Sequence, residues 1–264
     1  MGNKLSNAPV YYTVAQVQFN PVLDLDGYIP AIQSRMREVY FPDFKKEVFQ
    51  RLDFPVLGTQ QGQMVPPTLT TQSRYLFGDM LGRTVFLLES NALTLQTTAY
   101  DTFETFSKTL MAGLGILHSA LRLDFVERIG LRYLDAVQPS KEGESLREFL
   151  VPEVQGLALR GQGTLQQSIS ETSLATSAGQ LISRVVVRNG QLGLPMELSG
   201  APLTIDPRFT QREGLHAIVD TDASFAHREA FDLPNVEVRL TALHDEIVTS
   251  FSGTVTDYAR AAWA

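Results

Sequence analysis

The chain has 264 residues, 44% of them hydrophobic and 19% charged, which is enough apolar material for a packed core and excludes a disordered chain. A formal net charge of −7 disfavours a globally electrostatic grip on nucleic acid or an anionic membrane. The sequence has no cysteine, which excludes disulfides, thiolate metal sites and a cysteine nucleophile, and no apolar run nears the roughly 18 residues of a membrane-spanning helix.

In chain order, Val10 to Phe19 is rich in β-branched and aromatic residues and predicts a strand. Asp26 then suits a helix N-cap, with Pro30 in the first turn and Ile29, Ile32, Met36 and Val39 at helical spacing. A strand is expected near Val48–Val56, followed by a Gln/Gly/Pro loop. The runs Leu69–Phe77, Thr84–Leu88 and Leu93–Thr98 are parted by turn residues and predict an antiparallel meander. Asp101 and Glu104 resemble a capping box. The helix they open carries Phe103, Phe106, Leu110, Leu114, Leu117 and Leu121 as an apolar stripe. A long strand, Asp124–Val137, comes next, then a short helix around Leu146–Leu150 and strands at Thr164–Thr176, Leu181–Arg188 and Leu215–Phe225. The last helix opens near Pro234-Asn235, with Leu240, Leu243, Ile247 and Phe251 as its stripe.

Each half of the chain therefore reads as several strands followed by one long amphipathic helix. The expected fold class is α+β: two pseudo-repeated units of antiparallel sheet plus helix, residues 1–122 and 123–264, folded as one compact unit.

Alternation along the strands separates apolar from charged faces. Ile129, Leu131 and Tyr133 claim the core side of their strand, so Asp124, Val126, Arg128, Gly130 and Arg132 fall on the other, while Phe125 goes with the core. The same parity groups Arg184 with Arg188, and His216 with Asp220 and Asp222. If the registers coincide, these residues form one patch of Arg128, Arg132, Arg184, Arg188, His216, Asp220 and Asp222. Its plain reading is a solvated face with cross-strand Arg–Asp pairs, each contributing about 0.2–1 kcal/mol. Its sharper reading is a ligand or partner site, because clustered guanidinium groups suit phosphate and carboxylate. Under either reading Arg128 or Arg132 is expected to pair with Asp220 or Asp222.

Other motifs carry less. Asp220-Thr221-Asp222 could hold a divalent cation, but the neighbouring arginines neutralise it more simply, and neither a metal nor a cofactor is expected. His118, His216, His227 and His244 fall in no two-histidine zinc motif, and no nucleophile elbow accompanies them. His244 is expected to tie the last helix to the sheet. Gly156–Gly163 lacks the Lys-Ser/Thr of a P-loop, Gly113 and Gly115 suit close helix packing, and Trp263 is expected to clip down the chain's last segment.

Three segments together carry a resemblance: Asn7-Ala8-Pro9-Val10 leading to Val17-Gln18-Phe19, then Arg128-Ile129-Gly130-Leu131-Arg132-Tyr133, then Val219-Asp220-Thr221-Asp222-Ala223. Over essentially the whole chain this resembles a sporadically distributed family of uncharacterised bacterial proteins of about 250 residues. The resemblance implies a bacterial cytosolic protein and an α+β fold, and it implies no activity.

No catalytic set emerges. The expected function is a non-catalytic binding or regulatory partner in the bacterial cytoplasm, immunity, antitoxin and defence roles included, with a protein as partner. The alternatives are a metal-dependent phosphoryl-transfer or nuclease enzyme using Asp220 and Asp222, and an RNA- or nucleotide-binding module using the arginine face, which the net charge disfavours.

Overall fold

The computed structural model describes residues 7–53, 68–198 and 202–264. Strand β1 (Val10–Phe19) leads to helix α1 (Leu25–Glu38) and to strands β2 (Asp43–Asp53), β3 (Thr68–Gly78), β4 (Thr84–Glu89) and β5 (Ala92–Thr97). Helix α2 (Phe103–Leu121) and strand β6 (Phe125–Val137) follow, then short helices α3 (Leu146–Phe149) and α4 (Pro152–Gln155). The remainder is β7 (Gln167–Ala175), β8 (Gln180–Gln191), α5 (Pro207–Thr210), β9 (Glu213–Phe225), β10 (Glu229–Ala230), α6 (Leu233–Thr254) and α7 (Asp257–Trp263). Of the strand expected at 48–56, residues 54–56 lie outside the described residues. Among the described residues no helix is long and apolar enough to cross a membrane.

All the strands join one antiparallel sheet in the order β2-β3-β4-β5-β1-β6-β9-β8-β7, with β10 added beside β6. Central strands β1 and β6 pair with each other, so the sheet runs unbroken across the boundary at residues 122 and 123. One face carries α1, α2 and α6. Ile32 and Met36 of α1, Leu110, Leu114 and Leu117 of α2, and Leu240 and Leu243 of α6 bury there against Val17, Phe86, Leu95, Leu131 and Ala223. Both expected stripes therefore face the core. At the far end of that face, Phe149, Val255 and Trp263 pack on Val185, Val187 and Val219. Trp263 lies near Phe149 and Phe251, and its carbonyl accepts the Asn7 N–H at 3.0 Å, so it does clip the chain's last segment down.

The opposite face is crossed by a strap between β8 and β9. Leu192, Leu194, Leu198, Leu203 and Ile205 of the strap, with Phe209 of α5, pack on Tyr12, Leu134 and Ile218. The strap reaches as far as β4 and β5, where Thr204 N–H donates to the Gly82 carbonyl and the Thr98 hydroxyl donates to the Thr204 carbonyl.

Three local expectations are corrected. Asp24, not Asp26, stands at the N-cap of α1, because the Asp26 carboxylate is taken by Lys46 of β2 and Tyr75 of β3; Pro30 consequently falls inside the helix rather than in its first turn. Thr102, not Asp101, caps α2, its hydroxyl accepting the Thr105 N–H at 3.2 Å. The third correction concerns β6, whose pairing with β1 shifts between Gln18/Arg128 and Phe19/Val126. The extra residue, Glu127, reverses the alternation. Val126 is thereby turned into the helix-side core, and Phe125 leaves it to stack under the Arg228 guanidinium.

Candidate functional site

The strap side of the sheet carries the charged residues that period-two alternation groups. The ladders place Arg132 opposite Asp222, Arg184 opposite Asp220, and Arg188 opposite His216. Arg132 grips Asp220 from the diagonal position with both arms of its fork, Nε to Oδ1 at 2.7 Å and Nη2 to Oδ2 at 2.7 Å. Arg184 adds Nη1 to Oδ2 at 2.9 Å and reaches Glu171 of β7 through Nε at 2.6 Å. Arg132 Nη2 also holds Glu197 of the strap at 2.8 Å. The expected Arg–Asp pairing is thus present, and it is a network that pins the strap to the sheet.

The Asp220 side chain is 3% exposed. Both its oxygens accept guanidinium N–H groups, one bond at Oδ1 and two at Oδ2. Arg188 Nε donates to His216 Nε2 at 3.3 Å, which leaves His216 Nδ1–H to donate to the Gly214 carbonyl at 3.0 Å. Burial lowers the His216 pKa and agrees with this neutral tautomer. Arg128 and Asp222 stand apart: among the described residues neither makes a hydrogen bond or ion pair. The Arg128 guanidinium lies along the sheet over Gly130, where an added Cβ would sit 2.8 Å from Nη1. Burial raises the Asp222 pKa, opposed by the nearby Arg128 and Arg132 charges.

A second constellation lies on the helix side. A cleft of about 1330 Å³ opens between α2, α6, the start of β1 and the loop that joins β5 to α2. Its polar floor is made by Tyr133 and Asp135 of β6, Tyr100 of the loop and His244 of α6. The Tyr133 hydroxyl lies 3.2 Å from the Tyr100 hydroxyl and 3.3 Å from His244 Nδ1, and the His244 ring stacks on Phe103 at 4.0 Å between centroids. His244 therefore ties α6 to the sheet as expected, while also lining a cavity.

Asp135 is 8% exposed and pairs in the ladders with Val10 and Val219. Among the described residues its carboxyl has no hydrogen-bond or salt-bridge partner; burial, with Asp220 across the sheet, pushes its pKa up to about 8. Burial likewise pushes Tyr100 up to about 12, holds Tyr133 well above the ordinary phenol value and lowers His244. The floor at neutral pH is consequently uncharged: two phenols, an imidazole and a protonated carboxylic acid. Such a set can donate and accept hydrogen bonds in an environment poor in water, where each is stronger than at the surface.

Neither Tyr100 nor Asp135 follows from motif reading, but one signal was present. In Tyr133-Leu134-Asp135-Ala136-Val137 the aspartate occupies a core-parity position, where an unpaired acid is anomalous. Compared with known proteins, the chain matches no family model, and no curated protein matches it significantly.

Proposed function

We propose that this protein is a non-catalytic binding protein whose ligand is a small organic molecule held in the cleft between α2 and α6. The observation that carries this reading is Asp135, a carboxyl buried without a partner among the described residues, on the lining of a cavity large enough for a drug-sized molecule. Native proteins rarely leave such a group unpaired, and a ligand that satisfies it explains its retention. A regulatory role in the bacterial cytosol suits this site, since ligand binding between two core helices can alter what the molecule presents to a protein partner.

The test is thermal shift with a fragment library on the wild type and on Thr241→Trp, which places an indole into the cleft from its α6 wall. Fragments that stabilise the wild type are expected to lose their effect on the variant. Stabilisation by the same fragments in both proteins would defeat the proposal.

A second reading concerns the partner. Among the described residues the side chains of Arg128 and Asp222, on the strap-side face, make no hydrogen bond or ion pair, which favours an external contact at that corner. Arg128→Ala with Asp222→Ala is expected to keep the native fold and to lose proteins captured by the wild-type bait from a bacterial lysate; an unchanged capture set would remove this reading.

The pseudo-repeat belongs to the same proposal. Outward from the central pair, the sheet runs β1, β5, β4, β3 on one side, with β2 added at its edge, and β6, β9, β8, β7 on the other, with α2 following β5 and α6 following β9 after the short β10. This equivalence supports two related units, 1–122 and 123–264, facing each other about the β1–β6 seam.

A further inference from the structure

We propose that the ligand of the α2–α6 cleft is an organic amine, its ammonium group seated against Asp135 and its apolar body lying along the aromatic and aliphatic wall. This rests on the reading of the cleft as a ligand site and specifies the ligand's chemistry.

Four features of the cleft lead to a cation. Asp135 is a buried carboxyl that no side chain among the described residues satisfies, and a counter-charge delivered by a ligand fills that vacancy in hydrogen bonding. The hydroxyl oxygens of Tyr133 and Tyr100 line the same cleft as further acceptors, and an ammonium is a donor-only group that suits an acceptor set. The rings of Phe103, Tyr100 and Tyr133 present aromatic faces and edges to the same space, and aromatic faces attract cations. Finally, the lining repels anions. Asp101, Glu104, Glu237 and Asp245 sit on its walls and rim. Of the lining cations, Arg83 is paired with Asp206 at 3.5 Å, and Arg208 donates to Asn7 Oδ1 at 2.8 Å and to the Ala8 carbonyl at 2.9 Å. Arg208, whose partners are neutral, and Lys108, exposed on α2, keep their charges and offset the acidic lining in part. Val10, Met111, Ile247 and Phe251 complete the wall and provide apolar surface for a hydrocarbon body. A bare divalent cation fits less well, since it needs about six oxygen ligands and the floor offers a single carboxylate.

The arrangement has a protonic consequence. An ammonium binds the ionised form of Asp135, so the acid must release its proton as the amine enters. The groups facing it do not compete over this range: burial holds Tyr133 and Tyr100 neutral from above and His244 neutral from below. Asp220, on the opposite face, is held by Arg132 and Arg184. Amine affinity is therefore expected to rise with pH up to about 8, where Asp135 ionises by itself.

The experiment uses matched triplets of aryl-alkyl amines, alcohols and carboxylic acids of several body sizes, titrated calorimetrically into the full chain in buffers of differing ionisation enthalpy. The amines are expected to bind at least about tenfold more tightly than their alcohol and acid counterparts, with close to one proton released per ligand at pH 7 and little at pH 9. Asp135→Asn is expected to remove the amine preference and the proton release while leaving the circular dichroism spectrum unchanged. Asp135→Glu, which keeps the charge, should retain part of both. Alcohols or acids that bind as well as amines, in a manner blocked by Thr241→Trp, would overturn the amine assignment and leave the cleft as a ligand site. Triplets that fail to bind, or that bind Thr241→Trp equally well, would overturn both.

Discussion

Asp220 accepts three guanidinium hydrogen bonds, and the Asp135 carboxyl, on the opposite face of the neighbouring strand, accepts none among the described residues. Their side chains differ only in surroundings, and the consequences for stability differ with them. Asp220→Ala removes the acceptor shared by two guanidinium groups, leaving Arg132, only 13% exposed, with Glu197 and Arg184 with Glu171. The expected loss is about 3–5 kcal/mol, read as a fall in the urea midpoint, with Asp220→Asn costing less because it keeps one acceptor. Arg132→Ala is expected to loosen the strap as well, since Glu197 loses its anchor. For Asp135 the consequence is a dependence on pH. Its folded-state pKa is raised above the unfolded value, so the folded protein holds a proton that the unfolded chain has released. Stability relative to Asp135→Asn is therefore fully present below about pH 4 and declines until about pH 8, by at most about 1.4 kcal/mol per pH unit. Denaturation of both proteins from pH 5 to 8 measures the difference, and parallel curves would show that the carboxyl is not buried as described. The charged face was legible in the sequence because alternation assigns each of its residues a side. Its pairing pattern was not, because which arginine takes which acid depends on diagonal distances that alternation does not supply.

Among the elements, α2 shows most clearly how packing overrides propensity. Gly113 and Gly115 both sit in the helix interior, where alanine is intrinsically better by about 1 kcal/mol. A Cβ at 113 would lie 2.5 Å from the Phe86 ring, whereas at 115 the nearest neighbour is Leu233 Cδ1 at 3.7 Å. Gly115→Ala is accordingly expected to stabilise the protein by about 1 kcal/mol, and Gly113→Ala to destabilise it by about 1–3 kcal/mol as helix and sheet are forced apart. Thermal denaturation of the two variants checks the opposite signs. Leu114, fully buried between them, should not tolerate aspartate at all. The stripe of α2 and its approximate ends follow from spacing alone. Its cap does not, since Asp101 and Thr102 are both good capping residues and only the geometry of the preceding loop chooses between them. The bulge at Glu127 is a similar case: an inserted residue leaves no mark in a run of strand formers, yet it exchanges the faces of Val126 and Phe125.

At the scale of the whole molecule, the β1–β6 ladder joins the two halves in one continuous sheet. Trp263 is the only tryptophan, is 6% exposed and is packed near Phe149 and Phe251. Its fluorescence reports the far end of the second half, while far-ultraviolet circular dichroism reports all the helices and strands. The two urea transitions are expected to coincide, because separating the halves would break the whole β1–β6 ladder at the centre of the sheet; a Trp263 transition that precedes the dichroism transition would show independent units. By itself the sequence determined the α+β class, the positions of nearly all the strands, the two long helices and the membership of the charged face. All of these depend on periodicities of 2 and 3.6 residues, which are local. Tertiary structure alone decided that the strands form one sheet, that the strap consumes Arg132, and that Tyr100, Tyr133, Asp135 and His244 meet on the floor of a cleft. These four side chains come from a loop, a strand and a helix up to 144 residues apart in the numbering. Their meeting is set by how α2 and α6 pack across the sheet, and long-range packing of that kind leaves no period in the chain.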